Sequence, residues 1–357
     1  MSTPASTVTT ATTAAAGDTA PVAAPDSLFT RLYTGTGAFG IVPHRRRFYV
    51  LTTVIVAICL ASILLRGFTF GIDFTGGTKL TMPAGDIDRG RVATVVEDSL
   101  GQEPQTVQIV GSGAARIVEI ETSFLTSDEI RATKNALFEE FQPVTADGET
   151  SVEAIGDSAR SESWGGQVTK KALIALVVFL IVVFGYIAFR FEWRMAAAAI
   201  TALLFDVVTT AGIYSIVGFE VTPATVIGLL TILGFSLYDT VVVFDKVEEN
   251  TRGLRHTARR TYAEEANLGV NQTLMRSIHT TVIGVLPLLA LVVIAVWILG
   301  VGTLLDLAIV QMVGIVTGTF SSVFLATPLL VSLKERDPAI QRQTAKVLAR
   351  REKVEVG

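Results

Sequence analysis

The chain has 357 residues, half of them apolar and 17% charged, with a formal net charge of −4. A soluble domain carries roughly 25% charged residues and interrupts its apolar runs with polar faces; here several runs of about 18 or more residues are continuous, which excludes a soluble globular protein. The single cysteine, Cys59, lies inside such a run and the three histidines are scattered, so no intrachain disulfide, metal centre or cofactor is expected, and no nucleic-acid partner.

Residues 1–43 are rich in Ala, Thr, Ser, Pro and Gly. They cannot bury enough apolar surface to fold and are expected to form a disordered N-terminal tail. They lack the layout of a cleaved signal peptide. A basic cluster, Arg45-Arg46-Arg47, then introduces the first apolar run. Transmembrane helices are predicted at roughly 48–65, 172–189, 195–218, 221–244, 277–299 and 307–333. At 1.5 Å per residue, each reaches across about 30 Å of hydrocarbon, the first two only just.

Between the first two spans, residues 66–171 form an acidic segment with 17 Asp and Glu against 10 Lys and Arg. It reads as strand 77–82, helix 88–100, strands 105–110 and 115–122 around Gly111-Ser-Gly113, helix 127–141 and a last strand at 150–155. Thr126 and Glu129 are spaced as a capping box for the second helix. The order β-α-β-β-α-β predicts a ferredoxin-like α+β domain. Residues 156–169, polar and rich in Gly and Ser, read as a linker back to the membrane.

The domain plan is therefore a tail (1–43), helix 1 (44–65), an extracytoplasmic α+β domain with its linker (66–171), a five-helix bundle (172–333) and a basic tail (334–357). Arg45–Arg47, Arg190, Arg194, the cations of a 245–276 loop and those of the C-terminal tail mark one side. The opposite loops, 219–220 and 300–306, carry no Lys or Arg. The positive-inside rule places both termini in the cytoplasm. Lys170-Lys171 falls on the outer side, where large translocated loops escape that rule. Trp193 and Trp297 sit at span ends, as interfacial anchors do.

Two carboxylates interrupt the spans: Asp206 in the third and Asp239 in the fourth. An ionised carboxylate at mid-membrane costs at least roughly 2.5–3.5 kcal/mol, so it persists with a partner, a wet cavity or a task. A carboxylate that is neutral in one conformation and charged in another carries protons. Moving one charge through 100 mV is worth about 2.3 kcal/mol. Ser236 and Thr240 lie near Asp239 on the helical wheel, and Gly228 and Gly234 allow close helix approach. Arg276 is expected to open the fifth helix at the cytoplasmic end and to reach Asp239. The expected depths, roughly 17 Å for Asp206 and 8 Å for Asp239 by helix rise, disfavour an intramembrane aspartyl protease. Gly314-x-x-x-Gly318 reads as a helix-packing site, and Pro223, Pro287 and Pro328 as candidate kinks. A structural hydrogen bond for each Asp and a plain interfacial anchor for Arg276 are the bland alternatives.

Three stretches resemble the SecD/SecF family of protein-export membrane proteins. Gly71-Ile-Asp-Phe-Thr-Gly-Gly77 resembles that family's Gly-x-Asp-Phe-x-Gly-Gly signature, with Gly71, Asp73, Phe74, Gly76 and Gly77 at the matching positions. Leu233-Gly-Phe-Ser-Leu-Tyr-Asp-Thr-Val-Val-Val-Phe-Asp-Lys-Val-Glu-Glu-Asn250 resembles its fourth-helix motif, and Asn271-Gln-Thr-Leu-Met-Arg276 the segment that opens its fifth helix. Phe205, Phe235 and Tyr238 stand where the family has His, Tyr and Asn. The likeness covers roughly 45–335. It implies an accessory role in the bacterial Sec machinery of the cytoplasmic membrane, within the superfamily of RND transporters. It implies a SecD partner supplying six further spans, association with the SecYEG channel, contact with exported unfolded polypeptide, and use of the proton-motive force. It implies relay roles for Asp239, Arg276 and Asp206. The competing readings are half of an RND-type small-molecule or lipid exporter and a passive membrane scaffold.

Overall fold

The computed structural model describes residues 39–145, 147–254, 259–298 and 303–356; the disorder expected for 1–38 lies outside them. Among these residues six helices are long and apolar enough to cross a membrane: Arg45–Arg66, Gly165–Arg190, Trp193–Val217, Pro223–Thr251, Tyr262–Ile294 and Leu304–Lys334. In chain order the elements that matter are helix α1 (Arg45–Arg66), strand β1 (Thr69–Phe70), the single turn α2 (Ile72–Thr75), β2 (Gly77–Pro83), α3 (Arg89–Leu100), β3 (Thr106–Val110), β4 (Ile117–Thr122), α4 (Ser127–Phe141), β5 (Gly156–Arg160), α5 (Glu162–Arg190), α6 (Trp193–Val217), β6 (Glu220–Val221), α7 (Pro223–Thr251), α8 (Tyr262–Leu291), α9 (Thr303–Ser321), α10 (Thr327–Lys334) and α11 (Pro338–Val356).

The inner layer of the bundle is α6, α7 and α9, brought together by small residues. A Cβ on Gly228 would come 2.3 Å from Val310 of α9, and one on Gly314 the same distance from Ile232 of α7. On the other flank, Gly212 of α6 sits against Cys59 of α1. Helix α5 is peripheral, with Ile181, Val182 and Phe189 turned outward. The last span is not one regular helix. A π-helical turn, Ser322–Ala326, joins α9 to α10, just before Pro328, whose ring lacks an N–H and disrupts regular pairing.

The α+β domain is a four-stranded antiparallel sheet in the order β3-β4-β2-β5. Alternation along β2 sends Leu80 and Met82 into a core with Val92, Val96, Ile120 and Leu137. Lys79 and Thr81 point to the opposite, polar face. Thr126 and Glu129 make the expected capping box. The domain is tied to the bundle by the parallel pair β1–β6.

Four expectations need correction. The last strand is β5 at 156–160, not 150–155, and it runs almost directly into α5, so residues 156–169 are not a linker. An edge strand reading Gly-Asp-Ser-Ala-Arg has no apolar alternation to betray it. The expected 245–276 loop is largely helix, because α7 runs to Thr251 and α8 starts at Tyr262, both past the apolar runs. Thr261 caps α8 through Glu264, the Thr-x-x-Glu pattern of a helix start. Residues 39–43 are ordered: Asn271 of α8 accepts from the Phe39 amide (2.9 Å) and donates to its carbonyl (2.8 Å), and Ile41 and Val42 are buried. The basic tail is the helix α11, whose Arg351 grips Glu264 at 2.7 and 2.8 Å.

Candidate functional site

At the centre of the bundle two carboxylates are held by hydroxyls alone. On α6, Asp206 is 1% exposed and its Oδ2 accepts from Ser236 of α7 at 2.5 Å. One turn further along α7, Asp239 is 3% exposed. Its Oδ1 accepts from Ser277 of α8 at 2.7 Å, and its Oδ2 from Ser322 in the π-helical turn. Neither carboxylate has an ion-pair partner within 4.0 Å among the described residues. Asp206 Oδ1 and the hydroxyl of Thr240 are buried without a hydrogen-bond partner. Four segments, α6, α7, α8 and the π-helical turn, thus converge on two acids through three serines.

The site differs from the expected one in three ways. Asp239 is not near the end of its helix: twelve residues separate it from Thr251, about 18 Å of rise. The level of Ser236, which holds Asp206, is only about 4.5 Å away along α7. The two acids therefore sit within about one helical turn of each other, and the expected depth difference of roughly 9 Å narrows to about 4.5 Å. Arg276 does not open the fifth helix but lies mid-α8, and its guanidinium donates to Tyr238 Oη at 2.8 Å rather than to Asp239. Residues 238 and 239 are about 100° apart on α7, as 276 and 277 are on α8. Ser277 faces the acid, and Arg276 faces outward over the Tyr238 ring, 5.9 Å from its centroid. Gly234 faces outward with open space around it. Close approach belongs to Gly228, Gly314 and Gly318. Ser277 and Ser322 were missed by sequence reasoning. The available signals were the serine directly after Arg276 and a Ser-Ser pair ahead of Thr327-Pro328.

Phe205, beside Asp206, is buried with its ring 6.1 Å from that of Phe320, so this position packs α6 on α9. The Arg276–Tyr238 bond joins α8 to α7. Arg276→Ala should cost one charge-assisted hydrogen bond, about 1.5–3 kcal/mol, and Tyr238→Phe the same bond with less packing. Both should lower the melting temperature, with Arg276→Lys between them and wild type. Parallel melting curves check this, and wild-type melting in Arg276→Ala would reduce the residue to an interfacial anchor.

The Gly71–Gly77 segment sits at the other end of α6. Gly76 has φ 79°, a left-handed backbone that favours glycine. Gly71 lies so close to Glu220 that a Cβ would come 2.2 Å from its Oε1. Asp73 pairs with Arg160 at 3.4 Å, and Phe74 packs near Phe70, ring centroids 6.1 Å apart. The segment therefore seats the α+β domain on the bundle.

Between the polar face of the sheet and the bundle lies a cavity of about 410 Å³, lined by Lys79, Glu119, Glu121, Glu220 and Asp306 among others. Lys79 reaches Glu119 at 2.8 Å and Glu121 at 3.5 Å. Burial, then the charges of Glu121 and Asp306, push Glu220 up to about 8. The folded state therefore holds a proton that the unfolded chain releases above about 4.5, the ordinary glutamate value. Stability falls as pH rises from there through about 8, and levels off above. Glu220→Gln cannot ionise and should melt above wild type beyond pH 8 yet match it in acid. Melting curves across pH check this; superimposable pH profiles would refute it.

Comparison with known proteins follows the same lines. Residues 140–336 match the family model described as protein export membrane protein SecD/SecF, C-terminal, and residues 61–85 match the SecD/SecF GG motif. The chain is 60% identical over 334 residues to the protein translocase subunit SecF of Mycobacterium tuberculosis, covering 94% of this chain and 76% of that one. It is 40% identical to the SecF subunit of Streptomyces coelicolor, covering 91% and 84%. The crystal structure of SecDF from Thermus thermophilus, a translocon-associated membrane protein, superposes with a TM-score of 0.70 at 30% identity, covering 84% of this chain and 39% of that one. The chain is a multi-pass α-helical membrane protein that belongs to the SecD/SecF family of protein-export membrane proteins.

Proposed function

We propose that this chain is the SecF-type subunit of a bacterial protein-export machine, and that it uses the proton-motive force through Asp239 and Asp206 to promote movement of unfolded polypeptides across the cytoplasmic membrane. The observation that carries this reading is the pair of mid-bundle acids bound only by serines. A hydroxyl both donates and accepts, so Ser277 and Ser322 suit the ionised acid as donors and the protonated acid as acceptors. A cation in direct contact would hold the acid charged; Arg276, bonded to Tyr238, acts on Asp239 only through space, and the hydroxyls leave both states open. Because Ser322 sits in a π-helical turn and Ser277 on α8, a change of protonation bears on the packing of two helices against α7. These are the parts a conformational cycle moves.

The basic flanks support cytoplasmic termini and an external α+β domain. Its strand order, β3-β4-β2-β5, supports a ferredoxin-like reading of that domain. The chain spans about 40% of the Thermus thermophilus protein named SecDF, which supports a SecD-like partner for the remaining helices. The SecYEG channel, the exported chain and membrane lipids complete the partners. No enzymatic chemistry is assigned.

Co-purification from native membranes tests the assembly. The expected result is recovery with a SecD-like chain of matching span number. Isolation alone, together with export indifferent to a proton gradient, would favour a passive scaffold.

A further inference from the structure

The end of the bundle that carries the basic flanks holds a second polar pocket, distant from both acids. It has a volume of about 430 Å³ and lies where the ends of α5, α7 and α10 meet the starts of α6, α8 and α11. Two of its polar groups are buried. Lys334, at the end of α10, has a side chain only 10% exposed, and pairs with Glu192, whose side chain is 60% exposed. Tyr262, at the start of α8, is 3% exposed, and its hydroxyl has no hydrogen-bond partner among the described residues. The Lys334 ammonium lies 6.0 Å from the centroid of the Tyr262 ring. Arg190 and Arg252 stand at the rim. Arg190 leans on Asp245 at 3.3 Å, and Arg252 has no ion-pair partner among the described residues.

A buried tyrosine hydroxyl with nothing to bond is unusual in a native structure. Here the tyrosine lines an open cavity beside a buried ammonium. Around the lining, Lys334 is matched by Glu192 and Arg190 by Asp245, while Arg252 and Glu248 stand without such a pair among the described residues. An ammonium, guanidiniums and a phenolic hydroxyl are the donors that an oxyanion takes. The pocket also has an apolar lip: Phe189 lines it, is 94% exposed, and continues the outward apolar face of α5 with Ile181 and Val182. A polar hollow at helix ends, opening onto a face made for acyl chains, matches a lipid with a charged headgroup better than a free anion. Arg252, without an ion-pair partner among the described residues, favours a monoanionic headgroup, since a zwitterionic amine would meet it.

We propose that this pocket is a binding site for an anionic phospholipid, its phosphate held by Lys334, Tyr262 and Arg252 and its acyl chains lying along Phe189 and the outer face of α5. The bound lipid would tie the peripheral α5 to α8 and α10. The site does not depend on the proton-carrying role of Asp239, so it stands or falls separately from it.

The test uses the purified full-length chain, delipidated in detergent and offered phosphatidylglycerol, phosphatidylcholine or inorganic phosphate. Retained lipid is read by native mass spectrometry and stabilisation by melting. Wild type should retain phosphatidylglycerol over phosphatidylcholine and melt higher with it. Arg252→Gln, at the exposed rim, should weaken retention about fivefold. Tyr262→Phe keeps the ring and removes the unbonded hydroxyl. It should also weaken retention, while melting no lower than wild type when delipidated, an outcome that a purely structural tyrosine would not give. Equal retention of the two lipids, equal retention by wild type and both variants, or a full melting shift from inorganic phosphate alone would each overturn the proposal.

Discussion

Asp239→Asn is expected to abolish proton-dependent stimulation of export while leaving the chain inserted and bound to its partner. The substitution keeps the shape of the side chain and removes only its ability to exchange a proton. In the wild-type site Ser277 and Ser322 both donate to the carboxylate. An amide offers one oxygen and one NH₂ group, so one serine must turn its hydroxyl to accept instead. That rearrangement costs on the order of 1 kcal/mol, too little to unfold a membrane bundle but enough to lock the site in one protonation-like state. The energy withdrawn from the cycle is larger, about 2.3 kcal/mol per charge per 100 mV. Translocation into inverted vesicles, with and without a proton gradient, measures the effect. If Asp239→Asn vesicles respond to the gradient as wild type does, the proton-carrier role is wrong and the buried acids are structural.

The bundle was readable because a bilayer forces long apolar runs, and the α+β domain because its strands and capped helix carry period and cap signals. Thr126 and Glu129 mark α4 to the residue. The reading weakened where those forces stop. Outside the hydrocarbon, α7 and α8 continue as charged helix, which looks like loop to any hydropathy criterion. That error placed Asp239 too close to a helix end and Arg276 at a helix start. The pairing of Arg276 with Asp239 then rested on spacing, and spacing does not fix the wheel angle. Tyr238 and Arg276 share one direction, Asp239 and Ser277 the other. Ser322 was illegible for a different reason. Hydroxyls are common in transmembrane helices, where they bond their own backbone. Only the π-helical turn, invisible in sequence, aims this one at Asp239. The acids themselves were legible, because their cost in a membrane makes them conspicuous.

Gly318→Ala is expected to damage both stability and coupling, because the contact it breaks supports the acid site. A Cβ at 318 would stand 2.8 Å from Ser236 Cβ and 3.1 Å from its Oγ. Ser236 cannot escape by changing rotamer, since the nearest atom is its own Cβ, fixed to the backbone of α7. Its Oγ is moreover committed to Asp206. Either α9 retreats from α7 or the Ser236–Asp206 bond is deformed. Retreat is resisted along the same seam, where Gly228 meets Val310 and Gly314 meets Ile232. Overpacking of this kind costs about 1–3 kcal/mol, so the melting temperature should drop and gradient-driven export should fall with it. Gly234→Ala is the matched control. It lies on the same helix as Ser236, but a Cβ there meets nothing within 4 Å. Alanine also favours helix over glycine by up to about 1 kcal/mol, so that variant should melt no lower than wild type and export normally. Melting and translocation measured on both variants separate a general intolerance of glycine replacement from the specific seam. Wild-type behaviour in Gly318→Ala would mean that α9 is free to shift against α7, and that Ser236 holds Asp206 without its support.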